Sequence, residues 1–295
     1  KRRQEFYVVE TFYARLGHGK RTDALTIYDK STLNVISEVI LPDKKRALMG
    51  AINPHSMQIT RDERFVLIFN FTPASSVTVV DMHQRQVVNE VPIPGCSLIY
   101  PSDERGFSSL CANGTLASFK LNKKGQVIDE TVSKAFNDID NDHLFMYPAM
   151  IKGFAYFLSK TGRLQPINLN TENPTILPAW SLVSAKEADD AWRIADGSIM
   201  DSDDAGRLFV RMHQIKEDGE HKKNSSEVWV FDVDAKKRVA RFTLKQGAGT
   251  IAVTKGPQPY LVVTTEDAEP GEGASIDVYD AMSGKYIRRI GGWVP

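Results

Sequence analysis

The chain has 295 residues, of which 42% are hydrophobic and 25% are charged, and this length fits one all-β domain or two α/β domains. Lys and Arg together number 37, as do Asp and Glu, so no basic excess exists to neutralise phosphates, which argues against general nucleic-acid binding. The longest apolar runs, such as residues 65–69, fall far short of the ~20 residues needed to span a bilayer.

A strand-like run that ends in Asp recurs along the chain, followed by a polar turn and a second strand. The four clear copies are residues 24–29, 76–81, 227–232 and 275–280, and two degenerate copies are residues 116–121 and 164–169. The spacing averages about 50 residues, the range expected for the blades of a β-propeller. The Asp that ends each clear copy is predicted to accept hydrogen bonds from backbone N–H groups of the following turn.

Each copy is preceded by another strand, and most of those strands by a charged turn and a further short strand. The preceding strands are predicted at residues 6–9, 65–69, 106–110, 154–158, 207–212 and 260–264. Each repeat is therefore typical of four antiparallel strands, and the lack of intervening helical periods argues against a parallel α/β fold. The sequence predicts an all-β fold, a single β-propeller domain over residues 1–295 with about six four-stranded antiparallel blades.

The ends of the chain leave the number of blades open. The first repeat begins at its second strand, so a six-bladed ring closed by the C-terminal residues and a seven-bladed ring that begins before Lys1 both fit. Because the first residue is Lys1 rather than Met, a signal peptide, if there was one, is not visible. The one helix predicted, over residues 184–192, starts with Ser184 and has Glu187 three residues later, the spacing of a capping box.

Several segments, taken in order, resemble the large subunits of the methylamine and aromatic amine dehydrogenases. In that family an Arg-Gly-(Lys/Glu)-Arg-(Ser/Thr)-Asp sequence precedes a Val-(Trp/Phe)-Asp strand, and residues 15–23 lead into Tyr28 and Asp29 in a similar way. The likeness continues through residues 41–43, 71–74, 79–81, 94–96, 111–116, 178–192 and 221–232. Each motif is weak alone, but their order along nearly the whole chain is specific to the family that depends on tryptophan tryptophylquinone.

The resemblance implies a seven-bladed propeller, with the first blade and its lead-in largely absent from this chain. It also implies a periplasmic complex of two large and two small subunits that oxidises primary amines to aldehyde and ammonia. Electrons would pass singly to a blue copper protein or a cytochrome c. In the family, tryptophan tryptophylquinone and the catalytic base belong to the small subunit, so this chain is expected to contribute no cofactor and no catalytic residue. Its role would be to hold the small subunit and to wall its substrate entrance.

The two cysteines, Cys96 and Cys111, fall on the predicted first and second strands of one blade. Antiparallel neighbours of that kind can lie within disulfide reach, and the family has a large-subunit disulfide at the matching places. The resemblance therefore implies a Cys96–Cys111 bridge. Two unrelated buried thiols are the alternative, and no CxxC or paired-histidine spacing supports a metal site.

Candidate contacts with a partner lie where connections extend beyond the strands. Phe12, Tyr13, Arg15 and Leu16 extend the first predicted hairpin, and we interpret them as contacts with the small subunit. Residues 214–225 and 265–274 are polar insertions within later blades, typical of solvated loops that can also touch a partner.

Other chemical signals are weak. His213 and His221 are interpreted as residues of a solvated loop, and residues 138–142 resemble a calcium loop but lack its Gly and Glu. There is no GxSxG, SxxK, GxGxxG or complete P-loop, and the four tryptophans are interpreted as packing or interface residues. Two alternatives remain, a non-enzymatic protein-binding propeller and a self-contained metal hydrolase of the central channel, although equivalent repeat positions offer no ligand set for the latter.

Overall fold

The computed structural model describes residues 3–46, 53–195, 199–215, 225–265 and 274–293, and β-strands dominate throughout. Within these ranges the strands form six antiparallel sheets, one for each predicted repeat. The all-β fold class predicted from the repeats is therefore confirmed. The chain divides into two compact units, unit 1 being Lys1–Ile139 with Leu169–Thr175 and unit 2 being Asp140–Asn168 with Ile176–Pro295.

Unit 1 contains three sheets whose strands are neighbours in chain order. Sheet 1 is β1 (Glu5–Arg15), β2 (His18–Asp29) and β3 (Val35–Leu41); sheet 2 is β4 (Met57–Ile59), β5 (Phe65–Asn70), β6 (Ser76–Asp81) and β7 (Gln86–Pro92); sheet 3 is β8 (Cys96–Ser102), β9 (Gly106–Cys111), β10 (Leu116–Leu121) and β11 (Val127–Val132). A short 3₁₀ helix, Pro54–Ser56, precedes β4. Sheet 1 has three described strands, whereas sheets 2 and 3 each have four.

Unit 2 also contains three sheets. Sheet 4 is β12 (Ala149–Ile151), β13 (Phe154–Leu158), β14 (Arg163–Asn168) and β15 (Thr175–Ile176), with β16 (Trp180–Ser181) against β14; sheet 5 is β17 (Trp192–Ile194), β19 (Arg207–Gln214), β20 (Ser225–Asp232) and β21 (Lys237–Ala248), with β18 (Met200–Ser202) against β19; sheet 6 is β22 (Thr250–Val253), β23 (Tyr260–Thr265), β24 (Ala274–Asp280) and β25 (Tyr286–Trp293). The helix α1 (Ala185–Asp189) connects β16 to β17.

The middle strands are buried on both faces. Every residue of β5, β6 and β9 is buried, whereas every residue of the outer strand β11 is exposed. Apolar clusters join sheet 1 to sheet 2 within unit 1, and sheet 5 to both sheets 4 and 6 within unit 2. Continuous apolar runs such as residues 65–69 are therefore strands covered on both faces, as the blades of a propeller require.

The Asp residues at the ends of the clear repeats organise the turns that follow. Each accepts a backbone N–H bond from two or three residues downstream, as predicted. The four are Asp29, Asp81, Asp232 and Asp280. At the first of them, hydrogen bonds from the Ser31 hydroxyl and the Thr32 amide lower the pKa of Asp29 to about 2. These carboxylates shape the turns rather than perform chemistry.

The predicted helix forms but is shorter than expected. Ser184 and Glu187 form the predicted capping box, in which each side chain bonds the backbone N–H of the other residue. The helix ends at Asp189 because Ala191 adopts a left-handed φ of 61° and Trp192 begins β17. The capping signal was readable from sequence, whereas the C-terminal end of the helix was not.

Candidate functional site

The hairpin formed by β1 and β2 extends beyond the rest of sheet 1. Strand β3 pairs with β2 only from Asp23 onward. Within the described chain, the strand residues between 11 and 22 therefore pair only across the β1–β2 hairpin. We call residues 11–22 the arm. Residues 11–20 are all exposed, and the arm turns at Leu16, which has a left-handed φ of 49°.

All four residues predicted to touch a partner lie near the tip of the arm. Phe12 and Tyr13 are 46% and 42% exposed, and Leu16 is 98% exposed, while Arg15 pairs with His18 across the hairpin. Because consecutive strand residues point to opposite faces, Phe12 and Tyr13 place an aromatic ring on each face of the arm. Large apolar side chains held in solvent commonly mark interaction surfaces. Their contact with a partner stays a prediction.

The base of the arm rests on the buried carboxylate of Asp23. Its side chain is fully buried and accepts hydrogen bonds from Thr11 Oγ1 at 2.7 Å, Arg21 Nε at 2.9 Å and Arg46 Nη1 at 2.6 Å. Arg21 Nη2 also lies 2.9 Å from the carboxylate. One acid therefore pairs with two guanidinium groups, an arrangement that satisfies the buried charge.

The same two arginines hold the segment that follows β3. Arg46 donates from Nη1 to the Lys44 carbonyl oxygen at 3.0 Å and from Nη2 to the Pro42 carbonyl oxygen. Arg21 donates from Nη2 to the Lys44 carbonyl oxygen at 2.6 Å. Because the Arg46 side chain is only 9% exposed, these bonds lie within the protein and fix the segment against the arm.

A second carboxylate, that of Glu90 on β7, extends this set of contacts into sheet 2. It accepts hydrogen bonds from Lys44 Nζ at 2.6 Å and from Ser76 Oγ at 2.8 Å. The base network is our name for Arg21, Asp23, Lys44, Arg46 and Glu90. It links sheets 1 and 2 through side chains from three separate segments of the sequence.

Both carboxylates of the base network are held in the ionised form. Burial alone would raise the pKa of Asp23, but hydrogen bonds from Thr11 and Arg21 and the charge of Arg46 outweigh it and lower that pKa. Burial is likewise outweighed at Glu90, whose pKa is lowered by its hydrogen bonds with Lys44 and Ser76. Sequence reasoning noted Arg21 and Asp23 within the family resemblance but did not find Lys44, Arg46 or Glu90.

Cys96 and Cys111 are joined in a disulfide. They are direct partners in the register of β8 and β9, with sulfur atoms 2.01 Å apart and Cα atoms 3.9 Å apart. The bridge borders a cavity of about 330 Å³ that is also lined by Ile93, Phe119 and Val132. Both cysteines of the chain are used in this bridge, so neither acts as a thiol nucleophile.

Close packing near the bridge gives a first testable prediction. Gly114 has a φ of 79° in the turn between β9 and β10, and a Cβ there would lie 2.4 Å from the Asn137 carbonyl oxygen. Gly114→Ala is therefore expected to lower the free energy of unfolding by about 1–3 kcal/mol, measured by urea denaturation. Gly95→Ala is the matched control, because Gly95 has a φ of 72° and nothing within 4 Å of its added Cβ. Equal losses in the two variants would show that the close contact contributes nothing.

The structure corrects or explains several other candidates. His213 is buried in β19, so its interpretation as a solvated loop residue is wrong, while His221 and most of residues 214–225 and 265–274 lie outside the described residues. Asp142, in the calcium-like segment, accepts hydrogen bonds from the Thr161 amide and Arg163 Nε, both at 2.8 Å. Its carboxylate therefore joins a turn and an ion pair.

The tryptophans whose side chains are described take part in packing. Trp229 is fully buried, and its Nε1 donates to Glu227 Oε2 at 2.6 Å. The Arg241 guanidinium lies 4.7 Å from the ring centres of both Trp192 and Trp229. The Trp229 ring, which is buried, hydrogen-bonded and covered by a cation, does not fit a quinone that must meet a substrate. This pair is better explained by cation–π packing.

Two kinds of feature are absent from the described ranges. No group of three His, Cys, Asp or Glu side chains there is arranged to hold a metal ion, and no helix there combines the length and apolar character needed to cross a membrane. What the described residues do present is a set of propeller-type sheets, a bridged hairpin and an exposed arm on a buried ionic base. These features define the class as a β-propeller scaffold with a projecting, exposed arm.

Comparison with known proteins identifies the family. Residues 3–293 match the model of the family described as methylamine dehydrogenase heavy chain, and the chain belongs to that family. The methylamine dehydrogenase heavy chain of Methylophilus methylotrophus is 26% identical over 96% of this chain, and that of Paracoccus versutus is 26% identical over 97%. This chain spans 68% and 65% of the lengths of those relatives, or about two thirds.

Solved structures support the fold. The chain is similar to dihydro-heme d1 dehydrogenase NirN, with a TM-score of 0.52 and 14% identity over 96% of this chain and 66% of that one. It is also similar to a functionally unknown protein from Desulfotomaculum acetoxidans, with a TM-score of 0.53 and 15% identity over 98% of this chain and 82% of that one. At these identities the likeness concerns the fold alone.

Proposed function

We propose that the chain is the non-catalytic large subunit of a periplasmic quinoprotein amine dehydrogenase. In this proposal it holds a small subunit that carries tryptophan tryptophylquinone, and it walls the substrate entrance of that subunit. The observation that carries the proposal is the match of residues 3–293 to the methylamine dehydrogenase heavy chain family. An oxidising compartment agrees with the Cys96–Cys111 bridge, because disulfides persist mainly outside the cytosol.

The proposed division of labour leaves the redox chemistry to the partner. The quinone would take two electrons from a primary amine, release aldehyde and ammonia after addition of water, and pass the electrons singly to a blue copper protein or a cytochrome c. This chain would contribute binding and the exclusion of bulk water. The exposed arm supports that role, since it offers large aromatic and aliphatic side chains that a partner can bury.

Co-purification is the direct test. The chain is expressed together with the genes that neighbour its own, and any complex is isolated through a tag on this chain. We expect a small partner that absorbs visible light as a quinone, together with oxidation of primary amines by the complex. A lone, colourless chain would overturn the proposal and favour the alternative, a protein-binding propeller without enzymatic function.

The arm gives a quantitative prediction within that test. Phe12→Ala combined with Leu16→Ala is expected to weaken binding of the small subunit at least about tenfold, because buried aromatic and aliphatic anchors dominate interfaces. The matched control is Leu33→Ala combined with Val35→Ala, which removes two side chains that are 66% and 55% exposed outside the arm, one in the β2–β3 connection and one at the start of β3. Affinity is measured by calorimetry on the separated subunits. If both double variants bind like the parent, the arm is not the contact surface, even if the complex itself forms.

A further inference from the structure

Unit 2 contains a cavity of about 580 Å³ between α1 and the turn that joins β13 to β14. We call it the α1 cavity. Its apolar lining includes Phe145, Val183, Trp192, Ile194 and Ile215. A volume of this size lies within the range of about 300–1,000 Å³ that is typical of pockets for small organic ligands.

The charged groups that line the α1 cavity are both cationic. They are Lys160, from the β13–β14 turn, and Arg193, from β17, and no Asp or Glu belongs to the described lining. Arg193 Nη1 donates to the carbonyl oxygens of Ala188 at 2.9 Å and Trp192 at 2.7 Å, which fixes the guanidinium beside the cavity. The Lys160 ammonium has no ion-pair partner among the described residues.

Two carboxylates near the cavity are committed elsewhere. Asp142 is paired with Arg163 at 2.8 Å, and Glu187 caps α1 and forms an ion pair with Arg238 at 2.5 Å. Neither acid neutralises the two cations that border the α1 cavity. An apolar chamber with two cationic groups at its border is complementary to a molecule with an apolar body and one negative end.

We propose that the α1 cavity binds an organic carboxylate with an aryl or short alkyl body. The apolar body lies against Phe145 and Trp192, and the carboxylate accepts hydrogen bonds from Lys160 and Arg193. A free organic acid and the C-terminal carboxylate of a peptide that ends in Phe both present this recognised chemistry. The site shares no residue with the arm and does not depend on the proposed amine dehydrogenase function.

Calorimetric titration of the full chain, together with any partner that co-purifies, tests the proposal. The probes are phenylbutyrate and a phenylpropyl trimethylammonium ion, which carry opposite charges on similar bodies. We expect saturable binding of phenylbutyrate and no binding of the ammonium ion. Because Trp192 lines the cavity, the tryptophan fluorescence of the chain should change when phenylbutyrate binds. A short acetylated peptide ending in Phe, and the same peptide with an amidated C-terminus, distinguish a peptide source from a free acid. Preference for the free acid, or for the peptide acid, identifies the source and supports the site.

Variants tie the binding to the two cations. Lys160→Ala and Arg193→Ala are each expected to weaken carboxylate binding about tenfold, the effect of losing one charge-assisted hydrogen bond. Lys186→Ala is the matched control, because Lys186 is an exposed lysine of α1 outside the cavity lining; we expect a change below about twofold there. Equal affinity for the two charge types, no binding of either acid, or equal effects of all three variants would overturn the proposal.

Discussion

Replacing Asp23 by asparagine is expected to lower the free energy of unfolding by about 3 kcal/mol, since removing one member of a buried ion pair leaves its partners with uncompensated charge. The carboxylate is fully buried, and it faces Arg21 and the nearly buried Arg46. Asparagine preserves the size of the side chain but removes the charge and one acceptor oxygen. Urea denaturation of the full chain, followed by tryptophan fluorescence, measures the loss.

Asp43→Asn is the matched control for that variant. Asp43 also faces Arg21, with a carboxylate oxygen 3.6 Å from Nη1, but its side chain is 77% exposed. Exposed ion pairs contribute about 0–1 kcal/mol, so we expect little change in stability from this substitution. A similar loss in both variants would show that total charge, rather than the buried geometry around Asp23, determines the effect.

The contribution of Asp23 to the free energy of unfolding should also depend on pH. Because the pKa of Asp23 is lowered in the folded chain, its stabilising effect is complete above the unfolded pKa of about 3.9. The effect is lost as the pH falls through the lower pKa of the folded state. The stability gap between the parent chain and Asp23→Asn is therefore expected to be widest near neutral pH and to narrow below about pH 4. A gap that stays constant from neutral pH into this acid range would contradict the role of the ionised carboxylate.

Local signals in the sequence were sufficient for the repeats and for their turns. The Asp that ends each clear repeat and the Ser184–Glu187 capping box act on backbone groups two or three residues away, so their partners are visible in the sequence. The same holds for the six sheets, because each is built mainly from consecutive strands. Prediction therefore succeeded where the interacting groups are close in the chain.

The base network could not be found in this way. Asp23 meets Arg46, and Lys44 meets Glu90, only because sheets 1 and 2 bring separate segments together. Lone arginines and lysines in polar connections carry no spacing signal that separates a buried partner from a solvated side chain. His213 shows the reverse problem, since it lies beside a polar insertion in sequence and is buried in β19 in the structure.

The position of the base network explains how an exposed arm can serve as a binding surface. An isolated two-stranded hairpin is only marginally stable in water, and a mobile arm would lose conformational entropy when a partner binds. Asp23 of the base network fixes both strands where the arm leaves sheet 1, because it accepts hydrogen bonds from Thr11 on β1 and from Arg21 on β2. Asp23→Asn is therefore also expected to weaken partner binding without changing any exposed contact residue.

Removing the disulfide by the double substitution Cys96→Ala and Cys111→Ala is expected to lower the free energy of unfolding by about 3 kcal/mol. The bridge closes a loop of about 15 residues, which restricts the conformations of the unfolded chain. The two cysteines are 15 residues apart and pair directly between β8 and β9. Alanine is chosen because both positions are buried, and a serine hydroxyl would add a separate cost if it found no partner. Urea denaturation under oxidising conditions measures the loss.

Reduction of the parent chain provides the matching measurement. Dithiothreitol should reduce the stability of the parent chain towards that of the double-alanine variant, and it should leave the variant unchanged, because the chain contains no other cysteine. The same comparison bears on the proposed periplasmic location, since a chain that depends on this bridge folds best where thiols are oxidised. If the reduced parent chain and the variant both unfold at the same urea concentration as the oxidised parent, the bridge is not a source of stability. The closeness of Cys96 and Cys111 would then follow from the β8–β9 register alone.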